Sequence, residues 1–226
     1  MYAMTCFRPD IALAVGKLNG VTINPSELHW FAIRRVLKYL KKIITYGLCY
    51  SGYPSVLEGF SDASWIVKDQ NHASTSGWIF TLAGGAISWA SKKQTLMAGS
   101  TMESEFIALA SASKEAEWLR ELLHEIQLWP KSVAPNSIHC DNEATLVRAY
   151  SQMYNGKSRH IGLRHSCVGE LITNGVITID YVRSKQNLAD PLTKGLSRDL
   201  VNKTSRGMDL KPMNLKSPIV ETRLDA

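Results

Sequence analysis

Four acidic side chains stand at element ends or in apolar company, where a charge is costly unless it is paired or binds a metal. Asp62 lies inside the apolar run FSDASW, which reads as a strand, and a charge is out of place there. Glu105 heads a helical stripe. Leu109, Ala112, Ala116, Leu119 and Leu123 recur at spacings of three and four, and four residues before Leu109 is Glu105. Glu103, two residues away, cannot point the same way and falls with Lys114, Glu117, Glu121 and Glu125 on the solvated face. Asp141 ends the short run SIHC, and Asp190 stands in NLADPLTK at the start of the last helix candidate. Each acid has an ordinary reading too. Glu105 could reach water from the first turn, Asp62 could be a strand-edge acid, Asp141 an Asx-turn residue and Asp190 an N-cap ahead of Pro191. Gathered at one end of a sheet, the four would repel one another unless hard divalent cations neutralised them, and Mg²⁺ is the usual partner of such oxygens. Two such ions about 4 Å apart activate water and steady the leaving oxygen in phosphodiester hydrolysis.

The elements that would position these acids follow from periodicity and turn residues. Ser100 to Gln127 is rich in Ala, Leu and Glu without Gly or Pro, a long helix opened by the Ser100–Glu103 capping box. Ahead of it come strand candidates Tyr46–Ser51, Val56–Ser64, Ser76–Leu82 and Ala86–Ala90, punctuated by Gly52, Pro54, Gly84 and Gly85. Closely spaced strands followed by one long helix predict an antiparallel meander with the helix laid across it. After Pro130 and Pro135, Ser137–Cys140 reads as a buried strand, with Asn142 capping a helix to about Tyr150. A helix from about Ile161 to Thr173 ends at Asn174-Gly175. Val176–Val182 alternates as a strand, and a short helix near Leu188–Lys194 stops at Gly195. At the N-terminus, Pro9–Leu18 is a short helix candidate. Asn24-Pro25 opens a second, basic helix whose buried side would be Trp30, Ile33, Leu37 and Leu40 or Lys41. Its Arg34, Arg35, Lys38, Lys41 and Lys42 form either a solvated face or a phosphate contact. From Ser197 onward the chain is polar, holds Pro212 and Pro218, and is expected to be poorly ordered.

Composition narrows the classes. Lys plus Arg number 26 against 20 Asp plus Glu, a net charge of +6 that favours an anionic partner. Cys6, Cys49, Cys140 and Cys167 are scattered, with no CxxC or Cys/His cluster, which speaks against a zinc site and for a reducing, intracellular setting, cytoplasmic or nuclear. No apolar run reaches membrane-spanning length. Asn155-Gly156-Lys157-Ser158 imitates the end of a P-loop, but Ser151 stands where its first Gly belongs. His160 and His165 are five apart, the wrong spacing for a zinc grip on one helical face.

In order along the chain, GFSDASW, STSGWIFTLAGGAISWASKKQ, STMESEFIALASASKEAEWLRELL, HCDNEA, KSRHIGLRH and YVRSKQNLADPLTKGL resemble the ribonuclease H domain of copia-type retrotransposon Pol polyproteins. The similarity runs from about Arg8 to Leu210, and FRPDIALAVGKLNG with HWFAIRRVLKYLK resembles the end of the reverse transcriptase that precedes it. The resemblance implies an α/β fold, a mixed five-stranded sheet with flanking helices, plus an N-terminal helical connection. It divides the chain into residues 1–45 (connection), 46–196 (ribonuclease H-like) and 197–226 (tail). It implies cutting of the RNA strand of RNA–DNA hybrids with two Mg²⁺ (Mn²⁺ as a substitute), and a reverse transcriptase as partner, whose polymerase core would precede residue 1. The family's acidic tetrad falls on Asp62, Glu105, Asp141 and Asp190. By resemblance Asp62 bridges both metals, Glu105 and Asp141 hold one, and Asp190 completes the other. Three departures stand out. No His lies between Tyr181 and Asp190, where cellular ribonucleases H carry one that helps product leave. Ser64 replaces a second Asp, and His72-Ala73 replaces a basic residue. A catalytically inactive retroelement relic or a nucleic-acid-binding module is the alternative.

Overall fold

The computed structural model describes residues 1–50, 56–65, 74–126, 134–153 and 159–213, with the side chain of Arg159 excluded. Gly52, Pro54, His72-Ala73, Gln127, Pro130, Asn155 to Ser158 and Pro218 lie outside the described residues.

Alternation of apolar residues along strands gives the sheet two usable faces. Strands β2 (Leu57–Ser64), β3 (Thr75–Leu82) and β4 (Gly85–Lys93) form the expected antiparallel meander, with β1 (Tyr46–Leu48) ahead of them in the chain. The β3–β4 connection is tight: Ala83 and Gly84 both take positive φ, 50° and 79°, the backbone that a two-residue hairpin demands. Strand β5 (Asn136–Cys140) then pairs parallel with β2, and β6 (Ile177–Tyr181) parallel with β5. The order is β4-β3-β2-β5-β6, the mixed five-stranded sheet implied by the resemblance.

One face carries the main core. Helix α4 (Thr101–Glu125) lies across it, and its stripe of Leu109, Ala112, Ala116, Leu119 and Leu123 is buried against Phe80, Ile138 and Ile177. The cap explains the register: Ser100 Oγ accepts from the Glu103 amide at 3.2 Å, and Glu103 itself accepts from the Gly99 amide at 2.7 Å. Glu103 is therefore spent on the helix end, and Glu105 turns inward. Helices α5 (Glu143–Tyr150), capped by Asn142 as expected, and α6 (Arg159–Thr173) pack on the same side.

The opposite face is covered by both ends of the described chain. Phe60, Ile79 and Ala86 meet Ala12, Ala189, Leu192 and Met208. Ala12 opens α2 (Ala12–Asn19), which follows α1 (Tyr2–Cys6) and a 3-10 turn, and Trp89 Nε1 donates to the Met4 carbonyl at 2.7 Å.

Three expectations are corrected. First, the described residues after Ser197 (214–226 lie outside them) form helix α7 (Arg198–Gly207) and strand β7 (Leu210–Pro212), which pairs antiparallel with β1 outside the main sheet. Their order comes from few but fully buried anchors, Met208 and Leu210, too sparse to register as periodicity. Second, helix α3 (Glu27–Lys42) buries no residue: Trp30 is 62% and Leu37 59% exposed. It is tied to the body through Tyr39, whose hydroxyl donates to Asp10 at 2.6 Å, while Arg8 pairs with the same carboxylate. Third, the last short helix is a single 3-10 turn, Asp190–Leu192. No helix among the described residues is long and apolar enough to cross a membrane.

Candidate active site

The four acids arrive from four different elements. Asp62 sits on β2, Glu105 in the first turns of α4, Asp141 directly after β5, and Asp190 at the start of the 3-10 turn. Because β2 and β5 run parallel and adjacent, their C-terminal ends deliver Asp62 and Asp141 to one edge of the sheet. Oxygens of Asp62, Asp141 and Asp190 lie within 4.8 Å of one another. Glu105, Cys140 and Asp141 form a second such group, so Asp141 is shared.

The 3-10 turn reaches this edge because two contacts hold it to the sheet and a glycine makes room. Asn187 Nδ2 donates to the Ser61 carbonyl at 2.9 Å while its Oδ1 accepts from the Ala189 amide. Ser91 Oγ donates to the Leu192 carbonyl at 2.6 Å. On β3, Gly77 sits opposite Asp62, and a Cβ there would stand 2.7 Å from Thr193 Cγ2 and 2.8 Å from Leu192 Cβ. Only a bare backbone lets the turn lie this close.

Burial and mutual repulsion set the electrostatics. Asp62 is fully buried, and desolvation, reinforced by Asp190 and Asp141, outweighs the help it draws from Lys194 and Thr193, so its carboxyl is pushed up to about 7. Glu105, 5% exposed, is pushed up to about 9 by desolvation first and then by Asp62 and Asp141. Asp190 is raised as well, through burial, against the pull of Lys194.

Two residues beside the turn were not singled out from sequence. Thr193 Oγ1 donates to Asp62 Oδ2, and Lys194 Nζ stands 3.3 Å from Asp62 Oδ1 and 3.1 Å from Asp190 Oδ1. Their signal was present in DPLTK, where Thr193 and Lys194 follow Asp190 by three and four residues, one helical turn on.

The donor set suits a hard divalent cation. Its oxygens are all carboxylate, and Glu105 Oε2 is buried without a hydrogen-bond partner, a costly arrangement that an electropositive ligand would relieve. Cys140 also stands in the group with Glu105 and Asp141; burial pushes its thiol up to about 12 in the metal-free protein, and its soft sulfur suits a hard cation less well than the carboxylate oxygens do.

No protein-family model matches the chain. Among curated proteins, it is 36% identical over 199 residues to the retrovirus-related Pol polyprotein from transposon TNT 1-94 of Nicotiana tabacum, an alignment covering 88% of this chain. Polyproteins from transposons RE2 and RE1 of Arabidopsis thaliana match similarly, at 32% identity over 88% and 84% of the chain. The chain belongs to the retrotransposon Pol polyprotein family. It spans only 13 to 15% of the length of these polyproteins. It is also 46% identical over 120 residues to secreted RxLR effector protein 161 of Plasmopara viticola, covering 84% of that protein and 53% of this one. Among solved structures, LC11-RNase H1 in complex with an RNA/DNA hybrid aligns over 65% of this chain and 97% of its own, at 14% identity and a TM-score of 0.45.

Proposed function

We propose that this chain is the ribonuclease H region of its Pol polyprotein and hydrolyses the RNA strand of RNA–DNA hybrids with Mg²⁺. The observation that carries the reading is the convergence of Asp62, Glu105, Asp141 and Asp190 from four elements, with one Glu105 oxygen buried and unpartnered. These four carboxylates would hold two ions. Bound Mg²⁺ supplies Lewis acidity, making a nucleophile of water and steadying the leaving oxygen. The protein's part is to keep the four carboxylates together: Asn187 and Gly77 fix the turn bearing Asp190, and the α4 cap turns Glu105 inward. The net charge of +6 favours the polyanionic substrate. Residues 1–45 would adjoin the reverse transcriptase, and the uncovered Trp30 and Leu37 on α3 suit a neighbour there. The division at residues 45 and 196, and action inside the cell, belong to the same proposal.

A second reading, a hybrid-binding module without turnover, draws on Lys194 standing between Asp62 and Asp190 and on the lack of His from Tyr181 to Asp190. Cleavage of a labelled RNA–DNA hybrid by purified protein separates the two. The nuclease reading expects the RNA strand to be cut with Mg²⁺ or Mn²⁺, and cutting to stop in EDTA and in Asp141→Asn. Folded protein that binds the hybrid and cuts nothing with either metal would overturn it in favour of the module.

A further inference from the structure

Lys194 ion-pairs with two members of the acidic cluster at once. Its Nζ bridges Asp62 Oδ1 and Asp190 Oδ1, oxygens of two carboxylates that would hold an ion on that side of the cluster. The contacts, 3.3 and 3.1 Å, are longer than a well-seated charge-assisted hydrogen bond of about 2.7–2.9 Å. Asp190 Oδ1 has no aligned hydrogen bond at all, so the ammonium acts there as a point charge. The Lys194 side chain is 40% exposed, whereas that of Asp62 is fully enclosed. Its four-carbon stem thus has a route to solvent that the Asp62 carboxylate lacks.

Resting on the metal-site reading above, we propose that Lys194 is a tethered placeholder cation. It neutralises Asp62 and Asp190 when no metal is bound and must be displaced before an ion can enter on that side. The two sides of the cluster then differ in kind. Between Asp62 and Asp190 an ion competes with a covalently attached ammonium. Beside Glu105 and Asp141 it meets the unpartnered Oε2 of Glu105, and neither of Lys194's ion pairs reaches there. Filling is therefore ordered: the Glu105–Asp141 side takes metal first and more tightly, the Asp62–Asp190 side later and more weakly. The lysine also protects the metal-free fold, because it is the counter-charge of a buried aspartate.

The test is a Mn²⁺ titration followed by electron paramagnetic resonance, with no nucleic acid present, on the full chain and on Lys194→Met and Lys194→Arg. The wild type is expected to show one tighter and one weaker ion. In Lys194→Met the weaker ion should tighten on the order of tenfold or more, since two like charges no longer contend for one place. Lys194→Arg keeps the cation and should keep the weak ion weak. Thermal unfolding in EDTA supplies a readout independent of metal, with Lys194→Met melting below wild type and recovering when Mn²⁺ is added. Weak-ion affinity equal in wild type and Lys194→Met, with both proteins folded, would overturn the placeholder role. Folded wild type that binds no Mn²⁺ would overturn the metal-site reading itself, a distinct result.

Discussion

Replacing Glu105 with Gln should stabilise the metal-free protein, although it removes a residue placed in the active site. Glu105 is buried, with one oxygen unpartnered, and its carboxyl is raised from 4.5 to about 9. An acid raised on folding contributes stability that is fully present below its unfolded value and is lost as pH climbs through the folded one. Between pH 4.5 and about 9 the folded chain must therefore hold a proton that the unfolded chain gives up. At pH 7, about 1.4 kcal/mol per pH unit over the interval from 4.5 comes to about 3 kcal/mol of lost stability. Gln has the shape of the protonated acid and carries no such cost. Asp62 titrates in both proteins and largely cancels from the difference. For a chain of this size, about 3 kcal/mol corresponds to roughly 6–12 °C in Tm. The assay is thermal unfolding by circular dichroism in EDTA, for both proteins, at steps from pH 5 to pH 8. Glu105→Gln should melt higher, with a gap that widens as pH rises. Saturating Mn²⁺ should shrink or reverse the gap, because the wild type gains a ligand that the variant holds poorly. Curves that stay parallel across pH, or a variant that melts lower in EDTA at pH 7, would refute the burial argument for Glu105.

Two further perturbations test how the site is held. Gly77→Ala places a methyl 2.7 Å from Thr193 Cγ2, so the turn must retreat. A stability loss of about 1–3 kcal/mol and weaker Mn²⁺ binding in a folded protein are expected, and unchanged binding would deny that the close approach positions Asp190. Leu210→Ala should cost about 2–5 kcal/mol in urea unfolding, because Leu210 is fully buried where β7 pairs with Leu48 of β1. A loss under about 0.5 kcal/mol would mean that α7 and β7 only decorate the domain.

The inward turn of Glu105 was legible because two independent signals agree: a capping box commits Glu103 to the helix end, and the apolar stripe places Glu105 on the buried side. The meander was legible from strand alternation and the punctuation at Gly84 and Gly85, although the turn itself is Ala83-Gly84 and Gly85 already opens β4. Helix α3 shows the limit of the same reasoning. Its amphipathicity says that the Trp30 and Leu37 face wants cover, but the pattern cannot say whether this chain provides it, and among the described residues it does not. Residues 198–212 failed for the opposite reason. A mostly polar segment is ordered when one or two of its side chains are buried by other parts of the chain, here Met208 on the second face of the sheet and Leu210 opposite Leu48 of β1. Lys194 was hidden because its meaning lies in three-dimensional proximity to Asp62, 132 positions away in sequence.

The second face of the sheet links these points. The turn that carries Asp190, Thr193 and Lys194 rests on a small cluster in which Leu192 and Ala189 meet Phe60 and Ile79 from the sheet, Ala12 from the N-terminal segment and Met208 from the C-terminal one. The Met208 carbonyl accepts from the Ala86 amide at 3.1 Å, so the C-terminal segment is bonded to the sheet as well as packed on it. Asp62 and Asp141 are delivered by the parallel strands, and Glu105 by the helix on the main core. Asp190 alone depends on this second, thinner layer. The geometry of the fourth acid, and of the lysine beside it, is thus coupled to segments at both ends of the chain that carry no chemistry of their own. A partner that covers the exposed face of α3 would act on the same layer, through the Tyr39–Asp10–Arg8 contact that ties that helix to the body.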